Sequence, residues 1–231
     1  MVIKHQFTLK FPFGASFNKD YKYLIYHEII KKIKRLTCIN IDGNCIDCKL
    51  APSCIYYHIS GENFTSYPGL MIERNFVEKK EISQGEIITI NIFLFKELVK
   101  YEDYIISFFE SNYFFEYFYQ LLEHKKEVIS KDNYSGKIRI ITPIVECENI
   151  IKQLEYYNKN YNCDFSLDIS LKCLNEKKIY DEFRYRFNDK LFNLSGLIGE
   201  FEVKNINRVF FEIGLGKTNF IGGGRAIESK N

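Results

Sequence analysis

G-L-G-K-T-N-F-I-G-G-G-R, residues 214 to 225, gathers five of the chain's 13 glycines and two basic side chains, Lys217 and Arg225. Gly216-Lys217-Thr218 has the ending of a mononucleotide loop, but that pattern also needs a glycine at position 211, where this chain has Phe211. Three consecutive glycines, Gly222 to Gly224, are also hostile to the helix that such a loop must open. The dinucleotide pattern G-x-G-x-x-G fails at Asn219. Two readings survive. The loop is a platform whose backbone N–H groups, with Lys217, Thr218 and Arg225, lie along a phosphate backbone, or its glycines only make tight turns before a last strand at 225–229. A nucleotide enzyme built on Gly-Lys-Thr is the weakest alternative, so no nucleotide cofactor is expected.

Working outward, the chain reads as two rounds of one grammar. Residues 2–11 alternate, with Ile3, His5, Phe7, Leu9 and Phe11 on one side and Lys4, Gln6, Thr8 and Lys10 on the other, the period of a half-buried strand. Pro12 stops it. From 19 to 37 the period becomes helical, with Ile25, Tyr26, Ile29, Ile30, Ile33 and Leu36 as the apolar stripe. Residues 85–95 are a strong strand, and helical patterns are expected from 96 to 125, including one or two core helices within 104–122. After a polar turn at 132–136 come a strand (137–145), a helix (147–161), strands at 164–173, 183–187 and 197–203, and a short helix before the glycine loop. The expected domains are therefore 1–131, with a cysteine-rich insertion at 38–54, and 132–231, with the glycine loop at 214–224.

The 231 residues are 46% hydrophobic, enough to bury a core. The opening M-V-I-K-H-Q-F-T-L-K lacks a signal-peptide core, and no run approaches the roughly 18 apolar residues of a membrane span. A soluble, cytoplasmic protein with no membrane partner is expected. Net charge is +2, but residues 1–36 carry eight Lys or Arg against two acids, so they hold +6 and the remainder −4. Such a basic stretch is either a polyanion footprint or a solvated helix face.

The arrangement at 214–225 resembles the terminal glycine-rich signature of the CRISPR-associated RAMP superfamily, particularly its precursor-crRNA processing endoribonucleases, the Cas six family. L-S-G-L-I-G-E-F-E-V (194–203) resembles the segment before their last helix, and I-R-I-I-T-P-I (138–144) the strand opening their second half. The resemblance implies an α+β fold of tandem ferredoxin-like domains. It implies that Gly214, Gly216, Lys217, Thr218, Gly222, Gly223, Gly224 and Arg225 contact RNA. The implied activity is cleavage of CRISPR repeat RNA by 2′-OH attack, leaving a 2′,3′-cyclic phosphate, with no metal needed for catalysis. The alternative is a non-catalytic subunit that caps crRNA beside other Cas effector subunits.

Metal-free RNA cleavage needs a base, an acid and positive charge for the phosphorane, and histidine suits the first two roles near neutral pH. Of four histidines, His5 falls on an apolar strand face, while His58 and His124 lack an obvious basic context. His27 falls away from the apolar stripe and shares its helix face with Tyr23, Lys31 and Lys34. The resemblance also puts a catalytic histidine on or near this first helix, often with a tyrosine and a lysine. His27 is then general base or acid, Tyr23 a second proton handler, and Lys31 or Lys34 the cation. An exposed helix histidine without a role is the alternative. Cys38, Cys45, Cys48 and Cys54, spaced C-x6-C-x2-C-x5-C, suit a structural Zn²⁺ shell, with plain thiols or an iron–sulfur cluster as rivals.

Overall fold

The structure is a computed structural model that describes residues 1–39, 45, 47–60, 67–73, 78–129, 132–145, 149–187, 190–216, 219 and 222–229, with the backbone alone for 179–187 and 190–194. Two compact units emerge, one of Ile3–Ile72 and Glu78–Glu127, the other of Met1–Val2, Glu73–Val77 and Val128–Asn231.

In the first unit, strand β1 (Val2–Phe11) buries Ile3, His5, Phe7, Leu9 and Phe11, as its alternation requires. The short strand β2 (Ala15–Ser16) follows, then helix α1 (Tyr21–Thr37). Asp20 caps α1 by accepting a hydrogen bond from the Tyr23 amide at 2.9 Å, and Lys34 and Arg35 in the last turn complement the helix dipole. The apolar stripe of α1 is buried except at Leu36, which is exposed. A short helix α2 (Ile55–Ser60) leads to strands β3 (Leu70–Ile72), β4 (Glu81–Ile82) and β5 (Glu86–Phe95). β4 pairs with β2, and β5 pairs antiparallel with β3 through Ile72–Ile92 to Leu70–Leu94. Helix α3 (Glu102–Glu110), the hairpin of β6 (Tyr113–Phe114) and β7 (Tyr117–Phe118), and strand β8 (Gln120–Ile129) complete the unit.

The stretch 113–125 is thus extended, where helix was expected. Its run of Tyr and Phe satisfies a helical period, yet aromatic residues favour strands when a sheet edge is available. Asn112, at a left-handed φ of 59°, turns the chain out of α3. The buried Tyr119 then donates its hydroxyl to the Phe108 and Phe109 carbonyls at 3.2 and 3.1 Å, satisfying the end of α3.

The second unit contains strand β9 (Asn133–Ile144), helix α4 (Asn149–Tyr161), strands β10 (Ser170–Phe187) and β11 (Lys190–Asn207), helix α5 (Val209–Ile213) and strand β12 (Ala226–Glu228). The polar segment expected as a turn at 132–136 instead enters β9, because β11 pairs with it as far as Asn133–Asn207. The strand expected from 164 begins only at Ser170. Asn158 clamps Phe165 with two 2.8 Å bonds, one to its amide and one to its carbonyl, and this holds the segment as a loop. Opposite charges face each other across the ladder at Arg139–Glu200 and Lys137–Glu202.

Each unit carries one four-stranded sheet, ordered β3-β5-β1-β8 in the first and β10-β11-β9-β12 in the second. Counting the main strands within each unit, both orders are second, third, first, fourth, with a helix after the first and the third. This βαββαβ repeat, with each sheet's first strand in its centre, is the tandem ferredoxin-like architecture expected from the sequence. Among the described residues no helix is long and apolar enough to cross a membrane.

Candidate nucleic-acid interface

The glycine-rich loop is the connection from α5 to β12 in the second unit, and its described residues face inward. Gly214 ends α5 at φ 87°, its amide donating to Phe210. The Leu215 amide donates to Gly224 at 2.9 Å, and the Gly224 amide to Pro143 at 3.0 Å. The buried Gln153 of α4 donates to the Gly214 carbonyl at 3.1 Å and accepts from the Gly216 amide at 2.8 Å. Thr142 donates to the Gly222 carbonyl at 3.0 Å and accepts from the Arg225 amide at 2.6 Å. Gly222 donates to Asn219, whose side chain reaches the Tyr157 hydroxyl at 2.9 Å.

These bonds change what the glycines are for. The sequence expectation was of exposed amides awaiting phosphate, but Gly214, Gly216, Gly222, Gly223 and Gly224 are all buried. A Cβ on Gly224, at φ 68°, would lie inside the carbonyl oxygen of Leu215 and 2.6 Å from its nitrogen, and one on Gly214 would overlap the Gly223 carbonyl. Two chain segments touch backbone to backbone here, which glycine alone permits. The Thr142-Pro143 pair of β9 is the other half of the same lock. Lys217 and Thr218 lie outside the described residues. Arg225 is partly exposed and pairs through Nη2 with Glu73 at 2.7 Å.

On α1 the four expected catalytic residues meet different fates. His27 is half-buried, and its ring packs 4.8 Å from that of Tyr23 at 52°. Tyr23 is 3% exposed, a correction to the solvent-facing position expected from the helical wheel. The wheel fails because the start of the helix is covered: Tyr21 donates to Lys79, Lys79 to Asp20 and Phe17 to Lys80. Lys31 binds Glu28 at 2.7 Å, one turn back on the same helix. The Lys34 ammonium lies 5.2 Å from the Tyr56 ring centre on α2. The structure therefore joins Tyr23 with His27, while the two lysines are directed to an acid and an aromatic ring.

Cys38 closes α1, and a chain of turns leads from Cys45 through Cys48 and Cys54 into α2. All four are thiols, not disulfide halves. Among the described residues, no group of three or more His, Cys, Asp or Glu is placed to hold a metal ion.

Sequence reasoning missed one cluster. His5 of β1, fully buried, has its Nδ1 2.9 Å from Nε2 of His124 on β8, and Phe7 stacks on the His124 ring at 4.5 Å. His5 Nε2 stands 3.9 Å from Glu102 Oε1, and Lys126 Nζ donates to both oxygens of Glu102 at 2.6 and 2.8 Å. Burial pushes the His5 imidazole down to about 4, against the opposing pull of Glu102. A period-2 reading of β8 was the signal that could have found the pairing, and the helical assignment of that segment concealed it.

A chain of two ferredoxin-like units, with a glycine-rich connection before its last strand, has the fold of the Cas6-like RAMP proteins. The likeness to solved structures spans essentially the whole molecule. A structure described as "An RAMP protein binding different RNA substrates" superposes with a TM-score of 0.58 at 13% identity, covering 99% of this chain and 100% of that one. A Cas6-related protein from Pyrococcus furiosus gives 0.55 at 14%, covering all of both chains. A Cas6 product complex gives 0.55 at 10%, covering 98% of this chain and 99% of the other. No protein-family model and no curated protein matches the sequence.

Proposed function

We propose that this protein binds CRISPR repeat RNA and cuts it to mature crRNA by attack of a ribose 2′-OH on the adjacent phosphate, with no metal in the reaction. One observation carries the reading: the repeated βαββαβ fold, likened over 98% or more of the chain to a RAMP protein described as binding different RNA substrates and to a Cas6 product complex. Fold alone does not specify chemistry, so the residue roles rest on the sequence and on the geometry of α1. His27 transfers the proton, with Tyr23 as the ring that orients it, and Lys31 or Lys34 supplies charge by exchanging its present partner for phosphate. The glycines act through the loop they lock, while Lys217, Thr218 and Arg225 are its phosphate-facing side chains. The zinc reading of Cys38, Cys45, Cys48 and Cys54 stays a proposal resting on spacing, with no part in the cleavage.

The engagement of Lys31 by Glu28, together with the burial of Tyr23, favours a second reading. In it the protein is a non-catalytic RAMP subunit that holds crRNA among other Cas subunits. Incubation of purified protein with labelled repeat RNA separates the two. Specific cleavage by the wild type, reduced at least about 100-fold in His27→Ala, supports the nuclease with this active site. Tight binding without cleavage supports the subunit.

A further inference from the structure

The acid–base geometry of the first unit is better ordered at β8 than on α1. Only one proton lies between His5 Nδ1 and His124 Nε2, so one ring donates and the other accepts. If His5 donated from Nδ1, its buried Nε2 would present a bare lone pair toward the Glu102 carboxylate, two negative poles 3.9 Å apart. With the opposite tautomer, His124 donates from Nε2 and His5 directs an Nε2–H toward that carboxylate. His5 Nε2 makes no hydrogen bond in either case, so the charge of the nearby carboxylate decides between the tautomers. Glu102 is itself held by Lys126, and the stack of Phe7 on His124 and on Phe109, with ring planes within 16° of parallel, fixes the ring. The outer nitrogen of His124, Nδ1, is then a lone pair on a ring that is part exposed on the edge strand of the sheet. A base oriented by a second group, which is oriented by a third, is the general logic of activated proton transfer.

We propose that His124 is a catalytic residue of this protein, taking the 2′-OH proton of an RNA substrate at Nδ1, with His5 and Glu102 as positioning residues. The proposal rests on the nuclease reading above, with His124 in place of His27 as the group that takes the 2′-OH proton. In the step, the 2′-O–H bond breaks as its proton moves to Nδ1, the 2′-oxygen bonds to phosphorus, and the bond from phosphorus to the 5′-oxygen breaks. The leaving 5′-oxygen takes a proton from water, and the hydroxide so formed returns His124 to its neutral form. The imidazolium formed in between is stabilised through His5 by the Glu102 charge.

Two measurements test this. In the RNA-free protein, nitrogen NMR of the imidazoles at pH 7.5 reads the tautomers directly. Protonated Nε2 and bare Nδ1 on His124, with protonated Nε2 on His5, are expected, and the reverse pattern overturns the assignment. Single-turnover cleavage of repeat RNA is then compared among wild type, His124→Gln, His5→Asn and His27→Ala. The amide introduced by His124→Gln can still donate to His5, so the fold is kept, while cleavage is expected to fall at least about 100-fold. The His5→Asn variant keeps an acceptor for His124 but loses the link to Glu102, and the acid limb of its pH–rate profile is expected to move. Wild-type rates in His124→Gln alongside loss in His27→Ala sink this proposal and leave the nuclease reading intact. A wild type that binds RNA without cutting it defeats both.

Discussion

Replacing Gly224 by alanine distinguishes a loop built for packing from one built for phosphate. At φ 68° an alanine pays about 1 to 2 kcal/mol for the left-handed backbone. Its Cβ also cannot coexist with the Leu215 backbone, so the two segments must part. Parting them breaks the bonds from Leu215 to Gly224 and from Gly224 to Pro143, each contributing about 1 kcal/mol. The expected loss is about 3 to 4 kcal/mol, and the two broken bonds are its main part beyond backbone strain. Gly216→Ala is the control within the same loop. Its φ is 86°, but a Cβ would meet only tight contacts, 3.2 Å to the Ile144 side chain and 3.3 Å to the Val145 carbonyl, and no overlap, so a loss of about 1 to 2 kcal/mol is expected. Urea unfolding of both variants without RNA, followed by circular dichroism, measures the difference. If Gly224→Ala unfolds with the wild-type midpoint yet binds RNA far more weakly, the packing argument is wrong and the glycines serve the ligand.

Three further outcomes follow from the same geometry. His5 remains neutral in the folded chain down to about pH 4 but protonates near 6.5 when unfolded, so its contribution is intact above 6.5 and is lost as pH falls toward 4. The loss amounts to about 3 kcal/mol, and an acid titration of stability should show this slope flattened in His5→Phe. Gln153→Leu fills the same space but strands the Gly214 carbonyl and the Gly216 amide, and is expected to lower the stability of the second unit by about 2 to 4 kcal/mol in the same urea assay. Arg225→Gln tests the proposed phosphate contact: the log–log salt dependence of RNA binding should flatten by roughly 0.7, and an unchanged slope would take Arg225 out of the interface.

The two units follow from patterns that the sequence states locally. Alternation at 2–11 makes β1, the 3.6-residue stripe of Ile25, Ile29 and Ile33 makes α1, and the same succession after residue 132 makes the second unit. Residues 113–125 and 164–169 were not legible, because dense aromatics satisfy both periods and because a side-chain clamp from Asn158 overrides an alternating run. Tertiary structure alone decided what the candidate residues touch. The sequence places five glycines in a loop, but a backbone amide is a phosphate donor only if no carbonyl reaches it first, and Gln153, Thr142 and Pro143 arrive from other elements to do so. Likewise His5 and His124 are 119 residues apart, and no spacing rule connects them. Their pairing exists because β1 and β8 are neighbours in the sheet. Periodicity is a property of neighbours along the chain, whereas a site is made by neighbours across it.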